Sequence, residues 1–188
     1  LAFTFGLVGM VHVMHHSGAA QGLVALLFGA AKSARSTRLG IAGMGVFFFF
    51  DDYANALVVG TTMRPIADRW RISREKLAYL VDSTSAPVAG LALISTWIAY
   101  EVGLLNDISK HLGLGLDGYE IFLLLLPLRF YCVSTLVFVF VGALLSRDFG
   151  PMYRAEARAL QDGTVLRTGA QLLTSRTFES VEPSRETL

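Results

Sequence analysis

Charge is scarce in this chain. Of 188 residues only 16% are Asp, Glu, Lys or Arg, against 53% hydrophobic, whereas soluble domains carry about 25% charged residues. With a mean hydropathy of +0.52, that deficit excludes an ordinary water-soluble domain and indicates a membrane-embedded one. Cysteine is nearly absent: Cys132 stands alone in an apolar run, which excludes a disulfide framework and a thiolate metal site. The net charge of +1 offers no electrostatic footprint for nucleic acid. No HExxH pattern and no phosphate-binding loop is present, so neither a zinc hydrolase nor nucleotide-driven transport is indicated. The chain opens at Leu1, without Met and inside an apolar stretch, with no basic leader and cleavage site. It reads as an internal piece of a longer transporter.

What is present is a set of interrupted apolar regions. They run over 1–31, 39–63, 72–105 and 119–145, each long enough to cross a bilayer once, which takes about 20 residues. His15, His16, Ser17 and Gly18 break the first; Asp51, Asp52 and Asn55 the second; Asp82, Ser83, Thr84, Ser85 and Pro87 the third; Pro127 and Arg129 the fourth. Polar or Pro-bearing interruptions at mid-depth mark the discontinuous helices that build transporter sites. Irregular backbone is tolerated there only where protein or a wet cavity covers it.

Basic residues set the topology. Lys32, Arg35 and Arg38 precede the second region; Arg64, Arg69, Arg71, Arg74 and Lys76 follow it; Arg147, Arg154, Arg158 and Arg167 follow the fourth. Basic connections stay cytoplasmic, so the second region starts and ends on one side. It is expected to be a re-entrant hairpin with its carboxylates near the tip. The third region is then a broken transmembrane helix. Ten residues from Ile72 to Val81 reach roughly 15 Å at about 1.5 Å per residue, which puts Asp82 at mid-membrane against that tip. Ser73 is expected to cap a helix, and Pro151 to open a cytoplasmic helix through Leu160. Residues 1–146 form the membrane transport region and 147–188 a cytoplasmic helix and polar tail.

The candidate site follows from these breaks. Ionisable groups inside an apolar run are costly and mark ion or substrate pathways. Oxygens from Asp51, Asp52 and Asn55 suit a small hard cation such as sodium. Two neighbouring carboxylates in a poorly solvated place cannot both ionise cheaply, so a proton and a cation compete for them. Asp52 is taken as the exchanging carboxylate; the plain alternative is a pair that caps or bends a helix. Asp82, Ser83 and Thr84 join the ion-binding set, with a capping role compatible with it. Ser95, Thr96 and Trp97 are read as helix packing, and Arg64, Pro65 and Asp68 as fixing the hairpin end. Arg129 has two readings: a charge partner for the Asp pair if the fourth region is one span, or a positional residue if the helix breaks at Pro127. His12, His15 and His16 lack the Asp, Glu or Cys that would complete a tetrahedral zinc set, and read as interfacial or core histidines.

The segment FFFFDDYANALVVGTTMRPIADRWRISREKLAYLVDSTSAPVAGLALISTWIAYEVGLL closely resembles the NhaC-type sodium/proton antiporter family. DFGPMYRAEARALQDG and the initial FGLVGMV…SG segment are similar to it too, so the likeness spans roughly Phe3 to Gly163. One departure is Ser17-Gly18-Ala19, where the family pattern favours Ser-Gly-Gly. The resemblance implies an all-α integral membrane protein, a secondary antiporter of the bacterial inner membrane built from inverted repeats. It exchanges sodium for protons by alternating access, and this chain supplies most of one repeat. Its partners are the bilayer, sodium and protons, the remaining repeat, and, as an open question, a second copy in a homodimer; no cofactor is implied beyond the transported ions. The alternative within transport is sodium- or proton-coupled exchange of small carboxylates. An intramembrane aspartyl protease would need a Gly-x-Gly-Asp signature, which Gly113-Leu114-Gly115-Leu116-Asp117 does not supply.

Overall fold

Ser33 opens the first well-defined helix with a reciprocal cap. Its hydroxyl accepts from the Ser36 backbone N–H at 3.1 Å, while the Ser36 hydroxyl accepts from the Ser33 N–H at 2.9 Å, satisfying two of the donors every helix start leaves open. In the computed structural model, which describes residues 31–167 together with Gly9, Val13, Gly169 and Ala170, every regular element among the described residues is helical. α1 spans Ala34–Phe47, and after a turn through Phe48–Asp51, α2 spans Asp52–Thr62. The short α3, Arg64–Arg69, carries Pro65 in its first turn, where the missing N–H costs nothing. The Trp70 indole N–H then donates to the Ala31 carbonyl at 3.0 Å, tying the exit of the α2–α3 unit to the entry of α1. The second apolar region is therefore a helical hairpin with Asp51 and Asp52 at its tip.

α4, Arg74–Leu91, is the central helix, packed by α1, α2 and a later helix, α7, which spans Phe130–Leu145. Ile41, Val59, Met63, Leu80 and Val139 meet in the core between them. Gly45 permits the closest approach: a Cβ there would stand 2.6 Å from the Thr84 Cβ and closer still to its hydroxyl.

The expected break at Asp82–Pro87 is not where the third region breaks. α4 runs through Asp82, Ser83, Thr84, Ser85 and Pro87 without interruption. The Thr84 hydroxyl donates back to the Leu80 and Val81 carbonyls at 2.8 and 3.1 Å, and the Ser85 hydroxyl to the Asp82 carbonyl at 3.0 Å. Hydroxyls turned onto their own helix bend it slightly and do not end it. The break falls at Ala92–Ser95, where Ala92 is extended (φ −62°, ψ 140°). Ser95 accepts from the Ile98 N–H at 3.2 Å and donates to the Ala89 carbonyl at 2.8 Å, starting α5, Thr96–Leu112, at a 42° bend to α4. The fourth region is likewise divided: α6, Gly118–Leu125, passes through a 3-10 turn at Leu126–Leu128 into α7. The first apolar region lies outside the described residues.

Among the described residues, one helical run, Phe130–Asp162, holds a window apolar and long enough to cross a membrane, with a mean hydropathy of 1.8; the bent pair α4–α5 passes the same test taken together. The apolar part of that run is α7, whose Tyr131, Val137, Phe138 and Leu145 are exposed.

After α7, α8 (Gly150–Asp162, Pro151 in its first turn) folds back onto the base of the hairpin. Glu156, 4% exposed, is the hub. One oxygen accepts from the Ser73 N–H and hydroxyl at 2.8 and 2.7 Å, capping α4 from outside, and the other pairs with the buried Arg38 of α1. Lys76 pairs with Asp148, and Arg158 with Glu75.

Two outcomes follow. Gly45→Ala forces α1 off α4 and lowers the melting temperature of the purified parent protein, an overpacking cost of about 1–3 kcal/mol. Glu156→Ala leaves Arg38 buried without its carboxylate, a loss of about 3–5 kcal/mol, and limited proteolysis around Ser146–Phe149 is faster than in the native protein.

Candidate functional site

The site is built where the hairpin tip meets the α4–α5 break. Asp51 ends the extended tip (φ −155°, ψ 130°) and caps α2, its Oδ1 accepting from the Ala54 N–H at 2.8 Å. Its Oδ2 accepts from the Thr96 hydroxyl at 2.9 Å, and the Thr96 N–H donates to the Phe50 carbonyl at 3.0 Å. Asp52 begins α2, and its Oδ1 accepts from the Trp97 indole N–H at 2.8 Å. Both carboxylates thus lie against two helix N-termini, those of α2 and α5, whose free N–H groups and dipoles favour negative charge. A cleft of about 180 Å³ opens over them, lined by Asp51, Asp52, Tyr53, Thr96, Trp97 and Tyr100.

The two aspartates differ. Asp51 is 4% exposed and both of its oxygens are engaged. Asp52 is half-buried, and its Oδ2 accepts no hydrogen bond among the described residues. The capping role weighed for the pair is thus what Asp51 does, while Asp52 lines the cleft with one oxygen bonded to Trp97.

Asn55 lies one turn beyond Asp51. Fully buried, its amide donates to the Gly45 and Phe48 carbonyls at 2.6 and 3.1 Å, fastening α2 to the last turn of α1. Its Oδ1 is buried with no donor among the described residues, a costly state for an amide oxygen and the kind of lone pair a cation takes. Thr84 is buried against Gly45, so it joins the same inter-helix layer as Asn55. Asp82 is exposed and Ser83 half-buried, and no hydrogen bond or ion pair among the described residues joins Asp82 to Asp51 or Asp52. The meeting of tip and break is made by Ser95–Trp97 in place of Asp82–Thr84, because the helix breaks a full ten residues later than its polar run.

Arg129 does not pair with the aspartates. The helix breaks at Pro127, and the guanidinium pairs with Glu101 of α5 and lies 5.0 Å over the Phe122 ring. Thr96 and Trp97, read from sequence as packing, are hydrogen-bond donors to the Asp pair, and Tyr100 and Glu101 were not singled out. Glu101 did carry a signal, as a carboxylate within an apolar run. Thr96 and Trp97 carried none, because their role depends on a partner 45 residues away. Among the described residues no group of three or more His, Cys, Asp or Glu side chains converges on a metal position; His12, His15 and His16 lie outside them.

An acidic hairpin tip is thus docked on a broken helix, among helices that expose many large apolar side chains. The family model described as the Na+/H+ antiporter family matches residues 88–182, half of the chain, and the chain belongs to that family. The matched stretch holds Thr96, Trp97, Glu101 and Arg129, while Asp51 and Asp52 precede it. An uncharacterized protein of Haemophilus influenzae is 34% identical over 137 residues, covering 70% of this chain and 25% of that protein, so the chain spans about a quarter of that relative's length. No solved structure matches.

Asp51→Ala removes the α2 cap and lowers the melting temperature of the parent protein, a loss of about 1 kcal/mol. Asp51→Asn, which caps comparably, leaves melting close to native; equal losses in the two variants would remove the cap as the reason.

Proposed function

We propose that the parent protein is an NhaC-type antiporter of the bacterial inner membrane, exchanging sodium for protons, and that Asp52 is the carboxylate at which the two ions compete. The observation that carries this reading is the asymmetry of the pair. Asp51 has donors on both oxygens and is held as a structural anion, whereas Asp52, which lines the cleft, has a donor on one oxygen alone among the described residues. A sodium ion takes the other oxygen only when a proton does not, and competition for one carboxylate is enough for obligatory exchange. Asn55 Oδ1, and with it the Asp51 carboxylate, completes a ligand set of hard oxygens suited to an alkali cation. Thr84 and the remaining polar groups of α4, Asp82 and Ser83, belong to the pathway around it.

The hairpin beside a broken helix supports a reading of alternating access. α1 rises about 21 Å over its fourteen residues at about 1.5 Å per residue, so its tip lies deep in a hydrocarbon layer about 30 Å thick. Arg38, Arg74, Lys76 and Arg158 gather at the opposite end with α8; by the preference of basic residues for the inside, that end is cytoplasmic. The hairpin and broken helix move as one unit against an inverted partner repeat, carrying either sodium or protons, while the empty, charged site crosses poorly. Exchange of small carboxylates is disfavoured because Arg129, the cation such a substrate would need, is paired with Glu101.

The test is proton movement in proteoliposomes holding the parent protein, challenged in turn with sodium, lithium, potassium and malate. Sodium or lithium collapses an imposed pH gradient, and Asp52→Asn abolishes this without preventing membrane insertion. Sodium-linked proton flux retained in Asp52→Asn would remove Asp52 from the site, and a response to malate alone would replace cation exchange with anion exchange.

A further inference from the structure

A second charged pair sits on the α4–α5 bend, and the exchange reading gives it no task. Arg129 occupies the non-helical joint before α7 (φ −79°, ψ 59°). Its guanidinium pairs with Glu101 in the second turn of α5 and packs beside Gly90 in the last turn of α4. A Cβ at Gly90 would stand 3.7 Å from Arg129 Nη1 and 3.3 Å from Cys132 Sγ. One side chain therefore pairs with one arm of the bend and lies beside the other, joining the bend to the start of α7. The polarity suits each arm, since a cation is favoured at the C-terminus of α4 and an anion near the N-terminus of α5.

As a source of stability the pair is poor. Its side chains are 20% and 35% exposed, a covered ion pair is often no better than an apolar replacement, and charges among membrane helices are costly. Its position offers a better account. Glu101 lies four residues after Trp97, on the same face of α5, and Trp97 donates to Asp52. Tyr100 in the cleft wall stands in the same relation to Thr96, which donates to Asp51. Whatever fixes Glu101 fixes the orientation in which α5 presents its donors to the aspartates.

We propose that Glu101 and Arg129 are positioning residues of the cation site: their pair clamps α7 across the α4–α5 bend and so holds Thr96 and Trp97 on Asp51 and Asp52. The proposal rests on the exchange reading of Asp52, and its test separates the two.

Full-length parent protein in proteoliposomes is compared as native, Glu101→Gln, the double swap Glu101→Arg with Arg129→Glu, and Asp52→Asn. Sodium-driven proton movement is measured across pH. Glu101→Gln is expected to raise the sodium concentration for half-maximal exchange about tenfold, the scale of one charge-assisted hydrogen bond, and to displace the pH profile; the double swap recovers most of both. A readout independent of transport accompanies it. Gly90→Cys is placed to cross-link with the native Cys132 on mild oxidation, and adding Glu101→Gln slows that cross-linking as α7 loosens from the bend.

Unchanged sodium dependence and unchanged cross-linking in Glu101→Gln overturn the clamp, even while loss of exchange in Asp52→Asn upholds the ion reading. Cross-linking of Gly90→Cys that is slowed by Glu101→Gln, where the native protein moves no sodium, overturns the ion reading and keeps the clamp. If Glu101→Gln fails to assemble, the double swap decides: near-native sodium dependence supports the pairing, and an assembled but inactive swap overturns it.

Discussion

The Asp51 carboxylate is the joint on which the described structure depends. One oxygen starts α2 and the other receives the Thr96 hydroxyl at the start of α5, so a single side chain joins the hairpin tip to the bend in the central helix. Each helix start leaves N–H groups unsatisfied, and in an apolar surrounding each unsatisfied group is costly. Asp51 removes that cost for the Ala54 N–H of α2, and Ser95 and the Phe50 carbonyl remove it for the Ile98 and Thr96 N–H groups of α5. The convergence of the two starts creates a local positive field in which an acidic pair can remain beside apolar helices. In the proposed reading, the carboxylates that engage the broken backbone are also the ones a cation uses.

The opposite end of the molecule shows the same economy with the charges distributed differently. Glu156 caps α4 through Ser73 and neutralises Arg38 of α1, so the base of the hairpin and the base of the central helix are fixed to one another by α8. Between these two polar ends the contact of α1 with α4 is purely steric, set by Gly45 against Thr84. A unit tied at both ends and close-packed between them transmits displacement as a body, in keeping with the proposed movement of hairpin and broken helix together. The junction between this unit and the α5–α6 pair lies where the chain bends by 42° and Glu101 reaches Arg129.

Much of this was legible from residue order. The return of the second apolar region to its starting side followed from Lys32, Arg35 and Arg38 on one flank and Arg64 to Lys76 on the other, and the hairpin closes accordingly through Trp70 and Ala31. Ser73 as a cap and Pro151 as a helix opener were readable because caps are local chemistry, complete within a few residues. The break in the third region was misplaced for an equally local reason. A run of Asp, Ser, Thr and Pro looks like an interruption, yet its hydroxyls found partners one turn back, whereas Ser95, one polar residue among apolar ones, ended the helix by taking both a cap and the Ala89 carbonyl.

The sequence by itself determined an apolar helical chain and a hairpin bearing Asp51 and Asp52 at its tip, and it supplied the expectation of a hard-cation site, because apolar runs, basic flanks and carboxylates within apolar runs each have a cost that is fixed by residue type alone. Only the tertiary structure decided which aspartate has a donor on one oxygen alone among the described residues, that Thr96 and Trp97 are the neighbours of the pair, and that Arg129 belongs to Glu101. Those are pairings across 28 to 45 residues, and a partner that far along the chain is chosen by how helices pack, not by what either residue is.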